Sequence, residues 1–203
     1  MKHILLLASK SQSRQRLLTE AQIPYNIIEQ EADETQCDWN KPLDQVVKSI
    51  ALHKMQHAIL PQGVKEDEIC FVLTADTLDQ DVYGKINGKP TNRADAIAMI
   101  KRARGGSQIC SAFCLEKKIW RNNKWDLIKR IERTVGAQYF FIIPDDWIEA
   151  YLQNTKVLEV SNAISIEEFG GQFLKHIDGS YTTIVGLPMF ELRQALEELG
   201  FFD

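Results

Sequence analysis

The chain has 203 residues, of which 44% are hydrophobic and 26% are charged, ordinary values for a globular protein with a sizeable core. Its 24 basic and 28 acidic residues give a net charge of −4, which argues against a nucleic acid polymer as partner because such a surface needs a basic excess. No apolar stretch approaches the length of a membrane span, and the N-terminal residues lack a signal-peptide cleavage site. No linker or repeat divides the chain. We therefore expect a single domain over residues 1–203, located in the cytoplasm and not at a membrane.

The first third of the chain predicts two strands and two helices. A strand is expected over residues 4–8, a helix over residues 12–21 and a second strand over residues 23–28. The next helix has strong start signals, with Asn40 as N-cap and Pro42 in its first turn. An acidic loop precedes it. This alternation of strands and helices is typical of α/β folds.

The rest of the chain continues the mixture of strands and helices, which predicts an α/β or α+β fold with a mixed sheet. The predicted elements are a strand over 69–75 that ends at Asp76, a helix over 92–104 capped by Thr91, strands over 107–116 and 125–142 joined by a turn around 121–123, a helix that begins at Pro144, and a final helix over 189–199.

Asp76 directly follows the apolar run of residues 69–75. An unbroken run of this kind predicts a strand buried on both faces, and open α/β sheets bind ligands at the carboxyl ends of such strands. A carboxylate placed there must be paired, hydrogen-bonded or metal-bound, since burying an isolated charge is costly. Asp76 is therefore either a functional carboxylate or a structural residue that caps the following turn.

A second candidate segment lies between the first strand and the first helix. Ser9 and Ser11 supply hydroxyls, the helix start supplies free N–H groups, and Arg14 follows one turn later. Together these groups suit an anion such as phosphate. The segment lacks the glycines of a P-loop. The alternative is an ordinary capped helix with exposed basic residues.

Two lysines and an acidic loop complete the set of candidates. Lys54 lies inside the apolar stripe of its helix, and its ammonium either reaches water or points into a cleft. Lys89 is held between a glycine and a proline soon after Asp76. Glu34 and Asp33 are either solvated or join Asp76 at a magnesium-type ion. Carboxylates beside several cations favour a metal-bound polyphosphate as ligand.

The four cysteines do not form a metal-binding pattern. Cys37 and Cys70 are isolated, and Cys110 and Cys114 lie four residues apart in a predicted strand. Without paired CxxC spacing or a histidine cluster, a structural zinc site is not expected. We predict buried free thiols. A redox role for Cys110 and Cys114 is the weaker alternative because nothing nearby favours a thiolate.

Six short segments follow one another across nearly the whole chain. They are Leu7-Ala8-Ser9-x-Ser11-x-x-Arg14, Asp33-Glu34-Thr35, Ala51-x-x-Lys54, Ala75-Asp76-Thr77, Gly88-Lys89-Pro90 and Val185-Gly-Leu-Pro188. In this order they resemble the Maf family of nucleoside triphosphate pyrophosphatases, whose members are also described as septum-formation inhibitors. A collinear match of this length is far more specific than any one of its segments.

The resemblance implies a two-lobed fold like that of inosine triphosphatase, with an elongated mixed sheet flanked by helices and a cleft between the lobes. It implies hydrolysis of a nucleoside triphosphate to the monophosphate and pyrophosphate with Mg²⁺ or Mn²⁺, and it suggests a homodimer. Asp76 takes the place of the general base or of the metal-linked carboxylate, and Glu34 that of a metal-site partner. The residues that the resemblance places on the triphosphate are Ser9, Ser11, Arg14, Lys54 and Lys89.

The chain departs from the family pattern at several places. Ser13 stands where the family has the first of two arginines, as in a subgroup associated with 7-methyl-GTP. Ser161 and Asn162 replace an aspartate and a lysine, and residues 166–170 end in Phe-Gly, again as in that subgroup. We expect an active, divergent pyrophosphatase for a modified or non-preferred nucleoside triphosphate, of which 7-methyl-GTP is one example. The alternative is a catalytically impaired member that binds nucleotides or a protein partner linked to cell division.

Overall fold

The structure, a computed structural model, describes residues 3–203. Within that range, seven strands alternate with six α-helices and several short 3₁₀ turns. The strands are β1 (Leu5–Leu7), β2 (Tyr25–Ile27), β3 (Ile69–Asp81), β4 (Ile86–Asn87), β5 (Ser107–Arg121), β6 (Lys124–Phe141) and β7 (Leu174–Asp178). The helices are α1 (Gln12–Glu20), α2 (Leu43–Gln56), α3 (Arg93–Ala103), α4 (Ile148–Asn154), α5 (Tyr181–Val185) and α6 (Met189–Glu198). None of these helices is long and apolar enough to cross a membrane.

All seven strands belong to one sheet, with the strand order β2-β1-β3-β5-β6-β7 and with β4 paired to β3. β1 is parallel to both β2 and β3, and the remaining pairs are antiparallel. Helices α1 and α2 lie in the crossover connections that parallel strands require. The predicted α/β fold with a mixed sheet flanked by helices is confirmed.

Helices cover both faces of the sheet. On one face, α1 and α6 pack on a cluster that contains Leu5 and Phe71, while α3 and α4 pack on a second cluster around Tyr139 and Tyr151. Because side chains alternate between the faces of a strand, the neighbouring positions of β3, such as Leu78, face α2 instead. The long strands β5 and β6 contribute to both clusters of the first face.

The edge of β3 is open over a short stretch in its middle. β1 pairs with β3 as far as Leu7 and Leu73, and β4 begins to pair with it only at Asp79. Residues 74–78 of this edge therefore have no neighbouring strand on the β1 side. A gap in a sheet edge leaves backbone and side-chain groups accessible to a ligand.

Asp76 lies within that gap and not at the end of its strand. The prediction that the strand ends at Asp76 is wrong, because β3 continues to Asp81 through its pairing with β5, in which Asp76 lies opposite Ala112. The expectation of a ligand site beyond a parallel strand still applies to β1, which ends at Leu7 beside this point.

Two predicted helix caps are also wrong. α2 begins at Leu43 after Pro42, which has no capping side chain, whereas the N–H of Asn40 donates to the Asp38 carboxylate. α3 is capped by Asn92, and Thr91 instead donates to a carboxylate within the helix. Neighbouring polar residues compete for the same free N–H groups, so the cap is decided by where the chain turns.

The hairpin of β5 and β6 is longer than predicted. Pairing continues to Arg121 and Lys124, and the turn lies at Asn122 and Asn123, both with positive φ. Asparagine tolerates this left-handed conformation. The predicted turn at residues 121–123 is confirmed, and β6 lies within one residue of its prediction. Residues 117–121 of β5 were not predicted, because these mostly polar residues lack the apolar alternation of a buried strand.

Candidate active site

A cleft of about 1600 Å³ opens over the gap in the β3 edge. Its walls come from the start of α1, the turn around residue 34, α2, the loop after β4, residues 159–168 and the end of α5. The seven residues that the sequence singled out all line this cleft: Ser9, Ser11, Arg14, Glu34, Lys54, Asp76 and Lys89.

Lys54 bridges two carboxylates at the floor of the cleft. Its Nζ lies 2.6 Å from Oδ1 of Asp76 and 2.8 Å from Oε1 of Glu34. Lys54 and Asp76 are both more than nine-tenths buried. α2 places the ammonium there because Lys54 lies one turn after Ile50, on the side of the helix that packs against the sheet. The alternative in which Lys54 reaches bulk water is therefore wrong.

Burial dominates the electrostatics of Asp76. It raises the pKa of the Asp76 carboxyl, and the nearby charge of Glu34 acts in the same direction, while the positive charges of Lys54 and Arg14 oppose both. The second carboxylate oxygen, Oδ2, is buried and has no hydrogen-bond partner among residues 3–203. Since buried acceptors are normally satisfied, this oxygen is suited to a ligand, a metal ion or a reacting water.

Arg14 is fixed by three hydrogen bonds beside this cluster. Its guanidinium donates to the Gly186 carbonyl at 2.9 Å, to the Ser9 hydroxyl at 3.2 Å and to the Thr77 hydroxyl at 3.1 Å. A guanidinium carries five N–H groups, so two remain for a ligand. Burial lowers the pKa of Arg14, and the charges of Asp76 and Glu34 oppose that shift.

The two serines before α1 organise the start of the helix. The Ser11 hydroxyl accepts the N–H of Arg14 at 3.4 Å, and the Ser9 hydroxyl accepts the N–H of Ser11 at 3.3 Å. Ser11 therefore acts as an N-cap, as the alternative of an ordinary capped helix requires. That alternative fails for Arg14, which is 8% exposed. An anion in the cleft would face these hydroxyls and the helix start together.

Lys89 lies across the cleft in the loop that follows β4. Its side chain is exposed, and among residues 3–203 no carboxylate lies within ion-pair distance of its ammonium. A cation without an intramolecular partner is available to an anionic ligand.

Three residues that sequence reasoning did not single out hold Arg14 in place. The Thr77 hydroxyl is 2.7 Å from that of Ser111, which donates to the Thr183 carbonyl at 2.8 Å. The Gly186 carbonyl accepts from both Arg14 and Thr77. Thr77 and Gly186 lie in segments that carry the family resemblance. Their residue types do not indicate a role in the site, because each contacts Arg14, which is more than 60 positions away in the sequence.

Gly186 provides a test of this support. Its φ of +125° is in the region that favours glycine, so Gly186→Ala should lower the free energy of unfolding by about 1–2 kcal/mol and disturb the carbonyl that holds Arg14. Gly136→Ala is the matched control, because Gly136 has no positive φ and an added Cβ meets only one atom at 3.8 Å. Urea unfolding of both variants checks the prediction, and equal losses would contradict it.

Two of the segments that depart from the family pattern, around Ser13 and around Glu167, contact each other at the cleft. Ser13 donates to Oε2 of Glu167 at 3.1 Å, and Arg16 forms ion pairs with Glu167 and Glu168. These contacts join the start of α1 to residues more than 150 positions away. Glu167 lines the cleft, so its carboxylate, which contacts Ser13 and Arg16, belongs to the wall where the chain departs from the family pattern.

Two carboxylates of the cleft, those of Asp76 and Glu34, are available to a divalent metal ion. Asp76 and Glu34 both form ion pairs with Lys54. Among residues 3–203, no group of three or more His, Cys, Asp or Glu side chains is arranged to hold a metal ion. Mg²⁺ is commonly bound by one or two carboxylates together with substrate phosphates. The two carboxylates, with the unpartnered Oδ2 of Asp76, fit an ion of this kind.

The cysteines take no part in the cleft. Cys70, Cys110 and Cys114 are buried, and burial raises the pKa of their thiols to about 12, about 11 and about 12. A thiol with so high a pKa is a poor nucleophile at neutral pH. The prediction of buried free thiols is confirmed for these three residues, and Cys37 is half-buried.

Known proteins resemble this chain over nearly its full length. A family model described as "Maf-like protein" matches residues 4–199. A protein of Clostridium botulinum (strain Eklund 17B / Type B) named dTTP/UTP pyrophosphatase is 35% identical over 195 residues, which are 95% of this chain and 97% of that protein. Proteins of the same name from Bacillus cereus (strain AH187) and Fusobacterium nucleatum subsp. nucleatum are 31% and 29% identical. Those two matches each cover 97% of this chain, with 95% and 96% of the respective relative. The chain therefore belongs to the Maf family.

Proposed function

We propose that the protein hydrolyses a nucleoside triphosphate to the monophosphate and pyrophosphate in a reaction that requires a divalent metal ion. The observation that carries the proposal is the buried cluster in which Lys54 bridges Asp76 and Glu34 beside Arg14. Cations that alternate with carboxylates suit a polyphosphate bound together with a metal ion. The name shared by the relatives, dTTP/UTP pyrophosphatase, supports the same reaction class. Because cells hold their triphosphates in the cytoplasm, we propose that location.

The residues of the cleft have different roles in this reaction. Arg14, Lys54 and Lys89 bind the triphosphate and neutralise the charge that develops on the leaving pyrophosphate. A water oxygen forms a bond to the α-phosphorus as the bond from that phosphorus to the α–β bridging oxygen breaks. Asp76 accepts the proton of this water. The raised pKa of Asp76 makes it a better proton acceptor than an ordinary aspartate once it is ionised.

Asp76 and Glu34 would hold the divalent ion, Mg²⁺ or Mn²⁺. When bound, such an ion neutralises charge on the phosphate oxygens and makes the α-phosphorus more electrophilic. Lys54 contributes by holding both carboxylates in place, since Asp76 accepts a hydrogen bond from its ammonium at 2.6 Å and Glu34 forms an ion pair with it at 2.8 Å.

The wall that contains Glu167 is proposed to select the base. A carboxylate only accepts hydrogen bonds, and the guanine edge presents adjacent N–H donors, whereas uracil and thymine present two carbonyls around one N–H. Glu167, together with Ser13 in place of an arginine, therefore favours a guanine-type base such as that of 7-methyl-GTP. The names of the relatives favour dTTP and UTP instead. Both substrate classes are candidates that one experiment separates.

Pyrophosphate release from a panel of triphosphates tests these proposals. The panel contains dTTP, UTP, GTP, 7-methyl-GTP, ATP and CTP, each with Mg²⁺, with Mn²⁺ and with a chelator, and the corresponding diphosphates serve as controls. We expect one preferred triphosphate, no pyrophosphate from any diphosphate, and loss of turnover with the chelator. Preference for dTTP or UTP would contradict the assignment of Glu167 to guanine recognition.

The alternative is a protein that binds triphosphates without hydrolysing them. The observation that favours it is the replacement of an acid and a base of the family pattern by Ser161 and Asn162, beside the cleft. Calorimetric binding of a triphosphate without turnover under any metal condition would support this alternative. Turnover that disappears in an Asp76 variant would exclude it.

A further inference from the structure

The loop that carries Lys89 is held by the turn at residues 161–163. The N–H of Asn162 donates to the Gly88 carbonyl at 2.8 Å, and the Ser161 hydroxyl donates to the Asn87 carbonyl at 2.9 Å. The two carbonyls directly before Lys89 are therefore both bound to residues more than 70 positions away. Lys89 extends into the cleft from a backbone that this turn anchors.

The buried carboxylate of Asp79 fixes the turn at residues 161–163. Asn162 and Ala163 have φ of 54° and 56°, a conformation that asparagine tolerates better than most residues. The Asn162 side chain is fully buried, and its Nδ2 donates to Oδ1 of Asp79 at 2.7 Å. The Ala163 carbonyl accepts the hydroxyl of Tyr151 at 3.0 Å. Asn162 thus connects the strand that carries Asp76 to the loop that carries Lys89.

Asp79 is fully buried and depends on its donors. The Tyr139 hydroxyl donates to Oδ2 at 2.5 Å, opposite the amide of Asn162 on Oδ1. The backbone of Asp79 also pairs with Asn87 in the sheet. A buried carboxylate needs hydrogen-bond donors. The hydrogen bond to Asp79 therefore keeps the amide of Asn162 in one position. Burial raises the pKa of Asp79 to about 7.

We infer that Asn162 and Asp79 are positioning residues that hold Lys89 where it meets the triphosphate. Neither residue lines the cleft, so neither is expected to touch substrate. Their effect is to order the loop in advance, because a ligand that must itself order a loop binds more weakly. The inference rests on the proposed function, since it assigns Lys89 to the triphosphate.

Asn162→Gly tests the inference with little backbone strain. Glycine retains the positive φ and the N–H that binds Gly88, but it removes the amide that binds Asp79. We expect faster hydrogen exchange of the N–H of residue 162, which donates to the Gly88 carbonyl and whose exchange is called loop exchange below, and a roughly tenfold rise in KM for the triphosphate. Asp79→Asn is the second variant, because it keeps the shape and turns one acceptor into a donor. It should change KM in the same direction.

Two controls distinguish an effect on the position of Lys89 from an effect on the stability of the fold. Tyr139→Phe removes the other hydrogen bond of Asp79 without touching the loop, so it should lower the melting temperature but leave loop exchange and KM near the wild-type values. In a Lys89→Ala background, Asn162→Gly should raise KM no further, because coupled residues are not additive. Unchanged loop exchange in Asn162→Gly, or fully additive KM effects, would overturn the inference.

Failure of the proposed function would be seen separately. If the wild-type protein neither hydrolyses nor binds any triphosphate, the proposed function is wrong. The assignment of Lys89 to triphosphate binding is then wrong as well. If the protein binds triphosphate without turnover, calorimetric affinity replaces KM in the same comparison. In both cases, loop exchange in Asn162→Gly still shows whether Asn162 holds the loop.

Discussion

Replacing Asp76 by asparagine should reduce pyrophosphate release by roughly a thousandfold, within the range expected for loss of a general base. Asparagine has nearly the same shape, but it cannot accept the proton of the attacking water. Lys54 keeps its contact with Glu34 at 2.8 Å, so we expect the variant to remain folded. Pyrophosphate release and thermal unfolding, measured on the same preparation, check both parts of the prediction.

The pH dependence should distinguish Asp76 as a base. Asp76 accepts a proton only when it is ionised, so the wild-type rate should rise with pH through its pKa, which burial holds above the ordinary value of 3.8. Asp76→Asn should lack this rise. Glu116→Gln is the matched control, because Glu116 is also a buried, ion-paired carboxylate but does not line the cleft. A wild-type rate in Asp76→Asn would remove Asp76 from the mechanism.

The second large effect is expected on stability, from Lys54→Met. Methionine keeps the length of the side chain but leaves Asp76 without the ammonium that lies 2.6 Å from its Oδ1. Removing one partner of a buried ion pair costs about 3–5 kcal/mol. Urea unfolding at pH 8 should show a loss of this size. Lys48→Met, on the same helix but with half of its side chain exposed, should change stability by less than about 0.5 kcal/mol.

The loss in Lys54→Met should depend on pH in a defined direction. Without the ammonium, the pKa of Asp76 in the folded protein rises further above its value of 3.8 in the unfolded chain. The folded state then holds a proton that the unfolded state releases, so stability falls as pH increases above the unfolded pKa. We expect a smaller loss at pH 5 than at pH 8. A loss that is independent of pH would show that Asp76 is not the group left unpaired.

Local features of the sequence were sufficient for several elements. Helix α1 lies within one residue of its prediction, and α6 does as well, because each has an apolar stripe and a clear end signal. The chemical types of the candidate residues were also readable, since several carboxylates and several cations together favour a metal-bound polyphosphate as ligand. The order of the segments along the chain then indicated the family.

Sequence alone determined which groups are available for chemistry, and tertiary structure decided which of them meet. Nothing local predicts that β3 continues past Asp76, because the hydrogen bonds that extend it come from β5. Nothing local places the Gly186 carbonyl on Arg14, 172 positions away, or the Asn162 amide on Asp79, 83 positions away. Side-chain types and periodicity are properties of neighbouring residues. The burial that raises the pKa of Asp76 exists only after distant segments have packed around it.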